Sequence, residues 1–288
     1  AALGLELDYE RIEATRPKIA DLLRPRPEEL ESVDYAPLPG DDWKISMPSE
    51  QGLDPMLVAD LYLDAAELEN IYGLLVVKNG YLIAEGYFNE GAVDQKARLQ
   101  SVTKSFTSAL TGIALDQGCL SSVDQRMMEF FPELADQIVD PRKNEITLRQ
   151  MLQMRAGYPW EESDPALWEG LGSGDYLPLI VQFPLVRDPG TGFDYSNLSS
   201  HILATIVARA CDIDLKPYAQ EHLFSPLGAE VGFWRQDWAG YYLGFTEIEL
   251  TARDMGKLGQ LYLDGGQFEG NQIVLAGWVE DSLHATQE

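Results

Sequence analysis

Two short apolar runs joined by Asn79-Gly80 constrain this chain more than any other feature. Gly73-Leu-Leu-Val-Val-Lys78 and Tyr81-Leu-Ile-Ala-Glu-Gly-Tyr-Phe88 consist largely of strand formers. Asn-Gly supplies the two positive φ angles of a type I′ turn, so the spacing predicts a β-hairpin. A hairpin alone is marginal and leaves open edges, so this one must pack against helices or further strands. Helical segments surround it. Asp54-Pro55 opens a helix expected to run from Pro55 to Glu69. From Ser101 to Gly118, Val102, Phe106, Ala109, Leu110, Ile113 and Ala114 repeat at three and four residues, and Gly118 fits the C-terminal stop. Thr147 is expected to cap residues 148–154, and Ser199 and Ser200 to precede a helix over 201–210. Thr251 starts another through Tyr262, followed by a turn at Asp264-Gly-Gly266. The expected class is α+β, a sheet with a mainly helical domain beside it. The expected divisions are an extended arm over 1–52, the start of an α/β domain over 53–118, a helical domain over 119–225 and a return to the α/β domain over 226–288. The arm is acidic and broken by prolines, with a short helix expected from Asp8 to Leu23.

Charge removes several classes of partner. Among 288 residues there are 47 Asp and Glu against 21 Lys and Arg, a net charge of -26. Phosphate binding needs clustered Lys and Arg, so nucleic acid is not an expected partner. No apolar run is long enough for a membrane-spanning helix. Cys119 and Cys211 are too few for a disulfide framework and are expected to be buried free thiols. The histidines, His201, His222 and His284, form no Cys/His cluster with metal-ligand spacing, so a metal is not expected. The chain begins with Ala1 rather than Met, from which removal of a preceding segment, a signal peptide among the options, is expected.

The sharpest chemical feature is Ser101-Val-Thr-Lys104, the only Ser-x-x-Lys in the chain. Positions i and i+3 share a helix face, so the amine can reach the hydroxyl. It can take the hydroxyl proton only if its own pKa is lowered. At a helix start the backbone N–H of Ser101 is also free to stabilise an oxyanion. Tyr195-Ser-Asn197 is the second feature. A tyrosine oxygen beside an ammonium can move protons, and Asn197 reaches the same cavity if the chain there is extended. Both motifs have structural alternatives: Ser101 as a cap with Lys104 on solvent, and Tyr195 as a packed loop aromatic. Tyr87-Phe-Asn89 has the same spacing at the hairpin's end, where a structural role is expected. His201 and His222 lack a Gly-x-Ser-x-Gly partner and are also read as structural. Trp160 and Trp168 either line an apolar acyl pocket or fill core.

Ser-x-x-Lys at the head of a long helix, followed well downstream by Tyr-x-Asn, resembles the serine β-lactamase and penicillin-binding-protein-like hydrolases. The order is closest to the class C β-lactamase, family VIII esterase and 6-aminohexanoate-dimer hydrolase branch. Ser101-Val-Thr-Lys-Ser-Phe-Thr-Ser-Ala-Leu-Thr-Gly-Ile-Ala-Leu115, Pro189-Gly-Thr-Gly-Phe-Asp-Tyr-Ser-Asn197, Ile146-Thr-Leu-Arg-Gln-Met-Leu152, His222-Leu-Phe-Ser-Pro-Leu-Gly228 and Leu250-Thr-Ala-Arg-Asp-Met255 are similar to the same branch. The resemblance implies a β-lactamase/DD-peptidase-like fold, an antiparallel sheet flanked by helices. It implies an acyl-enzyme on Ser101, general base and acid work by Lys104 and Tyr195, Asn197 holding the network or the substrate, and no cofactor. Small esters or linear amides are the implied substrates; D-amino-acid peptides and β-lactams are alternatives, as is a noncatalytic binding protein with a degenerate site. Family habit implies an extracytoplasmic setting. The family's third motif, a late Lys-Thr-Gly or His-x-Gly strand, is not found. The last sheet strands are therefore expected to be missing from this chain and supplied elsewhere, a second polypeptide being one source.

Overall fold

The computed structural model describes residues 27–284. Residues up to Val93 and residues from Asp94 onward form two compact units. The helix expected over Asp8 to Leu23 lies outside the described residues.

In the first unit the order is α1 (Pro27–Glu31), β1 (Lys44–Ile45), α2 (Pro55–Ala66), β2 (Gly73–Lys78) and β3 (Tyr81–Tyr87). The hairpin forms as its turn chemistry requires: Asn79 and Gly80 take φ of 53° and 77°. β2 and β3 pair antiparallel, from Gly73 opposite Tyr87 to Lys78 opposite Tyr81, with an irregularity between Val76 and Val77. Residues 32–52 do more than drape the surface, because β1 adds to β3 in parallel, Lys44 opposite Tyr81. α2 starts on an Asp54 cap with Pro55 in its first turn. Its Tyr62 is buried and donates to the Leu74 carbonyl (2.8 Å).

The second unit opens with β4 (Ala97–Arg98), a 3-10 turn at Gln100–Val102 and α3 (Thr103–Asp116). The helices α4 (Leu148–Leu152), α5 (Pro165–Gly172), α6 (Leu177–Gln182), α7 (Asn197–Cys211) and α8 (Leu215–Ala219) follow. The chain returns through β5 (Glu249–Leu250), α9 (Ala252–Leu263), the hairpin strands β6 (Gln267–Phe268) and β7 (Asn271–Gln272), and α10 (Ala276–Leu283). β5 pairs with β4, closing the segment before the 3-10 turn against the segment before α9. Thr147 and Thr251 cap α4 and α9 as expected.

α3 and α7 form the centre of this unit. Phe106, Leu110 and Ile113 of α3 share one buried apolar cluster with Leu198, Ile202 and Ile206 of α7. α7 begins at Asn197 behind a Ser196 cap, not after Ser199 and Ser200, which are buried in its first turn. The two helices run in the same direction, so their C-terminal ends also meet. There Cys119 and Cys211 are joined as a disulfide, with Cα atoms 5.0 Å apart. The expectation of two free thiols is thereby corrected. A pairing across 92 residues depends on helix packing, which two isolated cysteines do not reveal.

The bond closes a long loop, so its removal mainly loosens the unfolded state. Replacing Cys119 and Cys211 together by Ser is predicted to lower unfolding stability by roughly 2–4 kcal/mol. Urea unfolding of the two proteins measures this, and an unchanged midpoint would contradict the pairing.

Candidate active site

The sequence motifs meet at the N-terminal ends of α3 and α7. Ser101 is exposed in the 3-10 turn and Lys104 is half-buried on the first turn of α3. Their i, i+3 spacing brings Nζ to 3.1 Å from Ser101 Oγ. The same nitrogen donates to Asn197 Oδ1 (2.9 Å) and to the Phe245 carbonyl (3.3 Å). It also lies over the Tyr195 ring, 4.6 Å from its centre. Ser101, Lys104, Tyr195 and Asn197 thus converge on one amine. Asn197 reaches it from the first turn of a helix, without the extended chain that its spacing from Tyr195 was expected to require.

Two backbone features hold Ser101 where it is. Gln100, the residue before it, has φ of 47°, a left-handed conformation that a non-glycine residue adopts at a cost of order 1–3 kcal/mol. Its side chain accepts from the Thr246 hydroxyl (3.1 Å), and the Leu99 N–H donates to the Ile248 carbonyl (2.9 Å). The 244–248 segment is therefore the strut behind the nucleophile turn. It lies close to α7 only because residue 244 is glycine; a Cβ there would collide with the Ser200 carbonyl.

Burial pulls the Lys104 ammonium below the usual lysine range. The Tyr195 hydroxyl and the carboxylates of Glu161 and Glu162 work in the opposite direction, favouring the proton. Asn197 does not donate to Lys104; its amide Nδ2 donates instead to Glu162 Oε1 (3.1 Å). That fixes the amide orientation, with Oδ1 toward the amine.

Glu161 is a participant the sequence reading missed. It is fully buried, and its carboxylate accepts from the Ser196 hydroxyl (2.7 Å) and from the N–H groups of Asn197 (2.9 Å) and Leu198 (3.0 Å). The Ser196 hydroxyl in turn accepts from the Ser199 N–H (3.1 Å). A negative charge on the otherwise unsatisfied donors at a helix start is the favourable arrangement. It explains why α7 starts at Asn197. No local motif marks Glu161, since its partners lie at least 35 residues away.

A cavity of about 530 Å³ opens beside Ser101, lined also by Trp160, Glu162, Phe193, Asp194 and Tyr195. Trp160 thus falls on the site, whereas Trp168 is not among its lining residues. His201 does not join the cluster. It is buried with its Nε2 3.0 Å from Asp237 Oδ2 and its ring against Tyr176. His222 packs against the Tyr218 ring at a tilt of 59°. In the first unit, Asn89 donates to the carbonyls of Leu68 and Ile71, a structural use.

The model of the family described as Beta-lactamase matches residues 72–287. The chain belongs to the Beta-lactamase family. It is thus a member of a serine hydrolase family, with an α+β fold of the β-lactamase and penicillin-binding-protein type. It is 29% identical over 224 residues to the 6-aminohexanoate-dimer hydrolase of Paenarthrobacter ureafaciens, covering 73% of this chain and 56% of that protein. It therefore spans little more than half the length of this curated relative. A monacolin J acid methylbutanoyltransferase from Aspergillus terreus is 29% identical over 156 residues, covering 47% of this chain and 37% of that one. Among solved structures, a 6-aminohexanoate-dimer hydrolase homologue from Bacillus anthracis superposes with a TM-score of 0.66 at 22% identity, over 86% of this chain and 69% of that one. That likeness is one of fold.

Removing the Glu161 carboxylate leaves a hydroxyl and two backbone donors buried without an acceptor. Glu161→Ala is predicted to lower unfolding stability by about 3 kcal/mol. Urea unfolding measures the loss; a change below about 0.5 kcal/mol, the usual scale for a surface substitution, would contradict the capping role.

Proposed function

We propose that this chain cleaves small esters or linear amides through an acyl-enzyme on Ser101. The observation that carries the reading is the 3.1 Å contact between Ser101 Oγ and a lysine nitrogen whose burial weakens its hold on a proton. In the neutral state Lys104 accepts the hydroxyl proton as Oγ attacks the carbonyl carbon. The N–H of Ser101, at the head of the helix, faces the developing oxyanion. As the tetrahedral intermediate collapses, the C–O or C–N bond breaks and the proton passes to the leaving group from Lys104 or by way of Tyr195. Water then attacks the acyl carbon, giving up a proton to the same pair; the bond from that carbon to Oγ breaks, the proton returns to Ser101 Oγ, and the acid departs. Asn197 keeps the amine aimed at Ser101. The chemistry needs no cofactor. The Cys119–Cys211 bond favours an oxidising, extracytoplasmic setting.

A fluorophosphonate probe followed by intact-mass measurement tests the nucleophile. One adduct is expected on the protein and none on Ser101→Ala. No adduct on the unsubstituted protein would favour a binding protein with a degenerate site.

The base role has a signed pH dependence. Activity should rise with pH as Lys104 loses its proton, along a limb below the ordinary lysine range because burial lowers the pKa. The Glu162 carboxylate favours the protonated amine, so Glu162→Gln is predicted to move this limb to lower pH. A pH profile of kcat/KM checks it, and an unmoved or upward-shifted limb would contradict Lys104 as the base.

A further inference from the structure

We propose that His201 is a positioning residue for the amine of Lys104, acting through Phe245. This role rests on the reading of Lys104 as the base for Ser101. It adds the group that keeps one of the three oxygens around that amine in place.

His201 follows Asn197 by one turn of α7, so the two share a helix face. Asn197 meets Lys104 directly, whereas His201 is buried and reaches Asp237 instead. Its Nε2 donates to Asp237 Oδ2 (3.0 Å), since a carboxylate can only accept. Asp237 Oδ1 accepts from the Tyr241 N–H (2.8 Å), and the Asp237 N–H donates to the Tyr241 carbonyl (2.8 Å). The 237–241 turn is thus closed on Asp237 and fastened to α7 through the imidazole.

The next residues lead to Phe245, whose side chain is buried. The His201 ring stands edge-on to the Phe245 ring, with centres 6.4 Å apart at 88°. Tyr176 completes the group, 4.4 Å from His201 and 6.0 Å from Phe245 between ring centres. The carbonyl of this same Phe245 accepts from Lys104 Nζ, and its ring centre lies 5.7 Å from that nitrogen. At 3.3 Å the carbonyl contact is the longest of the three made by the amine, so it is the first lost if Phe245 shifts. The preceding carbonyls have holders of their own, Trp234 Nε1 on Leu243 and the Thr107 hydroxyl on Gly244. Loss of the His201 bond therefore frees Phe245 while the segment stays attached.

A His–Asp pair is a costly way to fill this space. His201 Nδ1 is buried with no hydrogen-bond partner among the described residues, and a buried pair adds little stability over apolar side chains of similar size. What the pair adds is direction. A hydrogen bond fixes the rotation of the ring that Phe245 rests on, where an apolar side chain would only occupy volume.

The test compares two double variants with the same charge. His201→Gln/Asp237→Asn keeps a hydrogen bond between two neutral amides, and His201→Leu/Asp237→Asn removes it. With 4-nitrophenyl butyrate, kcat is expected to be roughly 10- to 100-fold lower in the Leu variant than in the Gln variant. KM should agree within about twofold, as for a group that acts only on the chemical step. The second readout is the Lys104 Nζ titration followed by NMR in lysine-labelled protein. The Phe245 carbonyl and ring both favour the ammonium, so its midpoint should lie at lower pH in the Leu variant. Among the described residues, Glu161, Glu162 and Tyr195 also act on this amine, and Asp237 and Tyr176 contact His201. The two variants are alike at all five. Equal kcat values, or a midpoint that is unmoved or raised in the Leu variant, would overturn the proposal. If urea unfolding shows that the Leu variant does not fold, His201→Asn/Asp237→Asn, whose shorter amide stops short of residue 237, replaces it in the same comparison. If the unsubstituted protein does not turn over the ester, it is the Ser101 reading that fails, and the Lys104 midpoint alone decides the role of His201.

Discussion

The lysine nitrogen at the head of α3 is the point on which the rest of this structure depends. It is held by a serine oxygen one turn back, by an amide oxygen from α7 and by the carbonyl of Phe245. Each partner comes from a different part of the chain, and each is fixed by its own support. The serine is fixed by a left-handed residue before it, the amide by a glutamate behind it, and the carbonyl by a glycine that lets its segment approach a helix. A desolvated amine surrounded by neutral oxygens is less able to keep its proton than one in water, and the nearby carboxylates limit how far that goes.

The two helices that carry the site are fastened at both ends. At the N-terminal ends the fastening is polar, through Lys104, Asn197 and the buried Glu161. At the C-terminal ends it is the covalent bond between Cys119 and Cys211. Apolar packing of Phe106, Leu110 and Ile206 fills the space between. Parallel helices with tied tails leave little freedom to change the distance between Ser101 and Asn197. Such positioning matters because proton transfer needs heavy-atom separations of about 2.6–3.2 Å.

Much of this was legible from local chemistry. The hairpin followed from Asn79-Gly80, and the meeting of Ser101 with Lys104 followed from helical spacing. Asn197 entered with the Tyr195-Ser-Asn197 motif, and its helical setting was misread because Ser199 and Ser200 are equally good caps by type. What chose Ser196 over them was Glu161, supplied from 35 residues away by a loop whose path no local rule specifies. The disulfide was illegible for a similar reason, since it depends on two helices running in the same direction with their ends in register. The Phe245 carbonyl is backbone and carries no signature at all.

Burial holds Lys104 with a lowered affinity for its proton. The direct measurement follows the Lys104 Nζ resonance by NMR as a function of pH in protein carrying labelled lysine, assigned by its loss in Lys104→Arg. The expected titration midpoint lies below the ordinary lysine value of about 10.4. A midpoint at or above that value would mean that the amine keeps its proton through the working range, and would contradict its role as the base for Ser101.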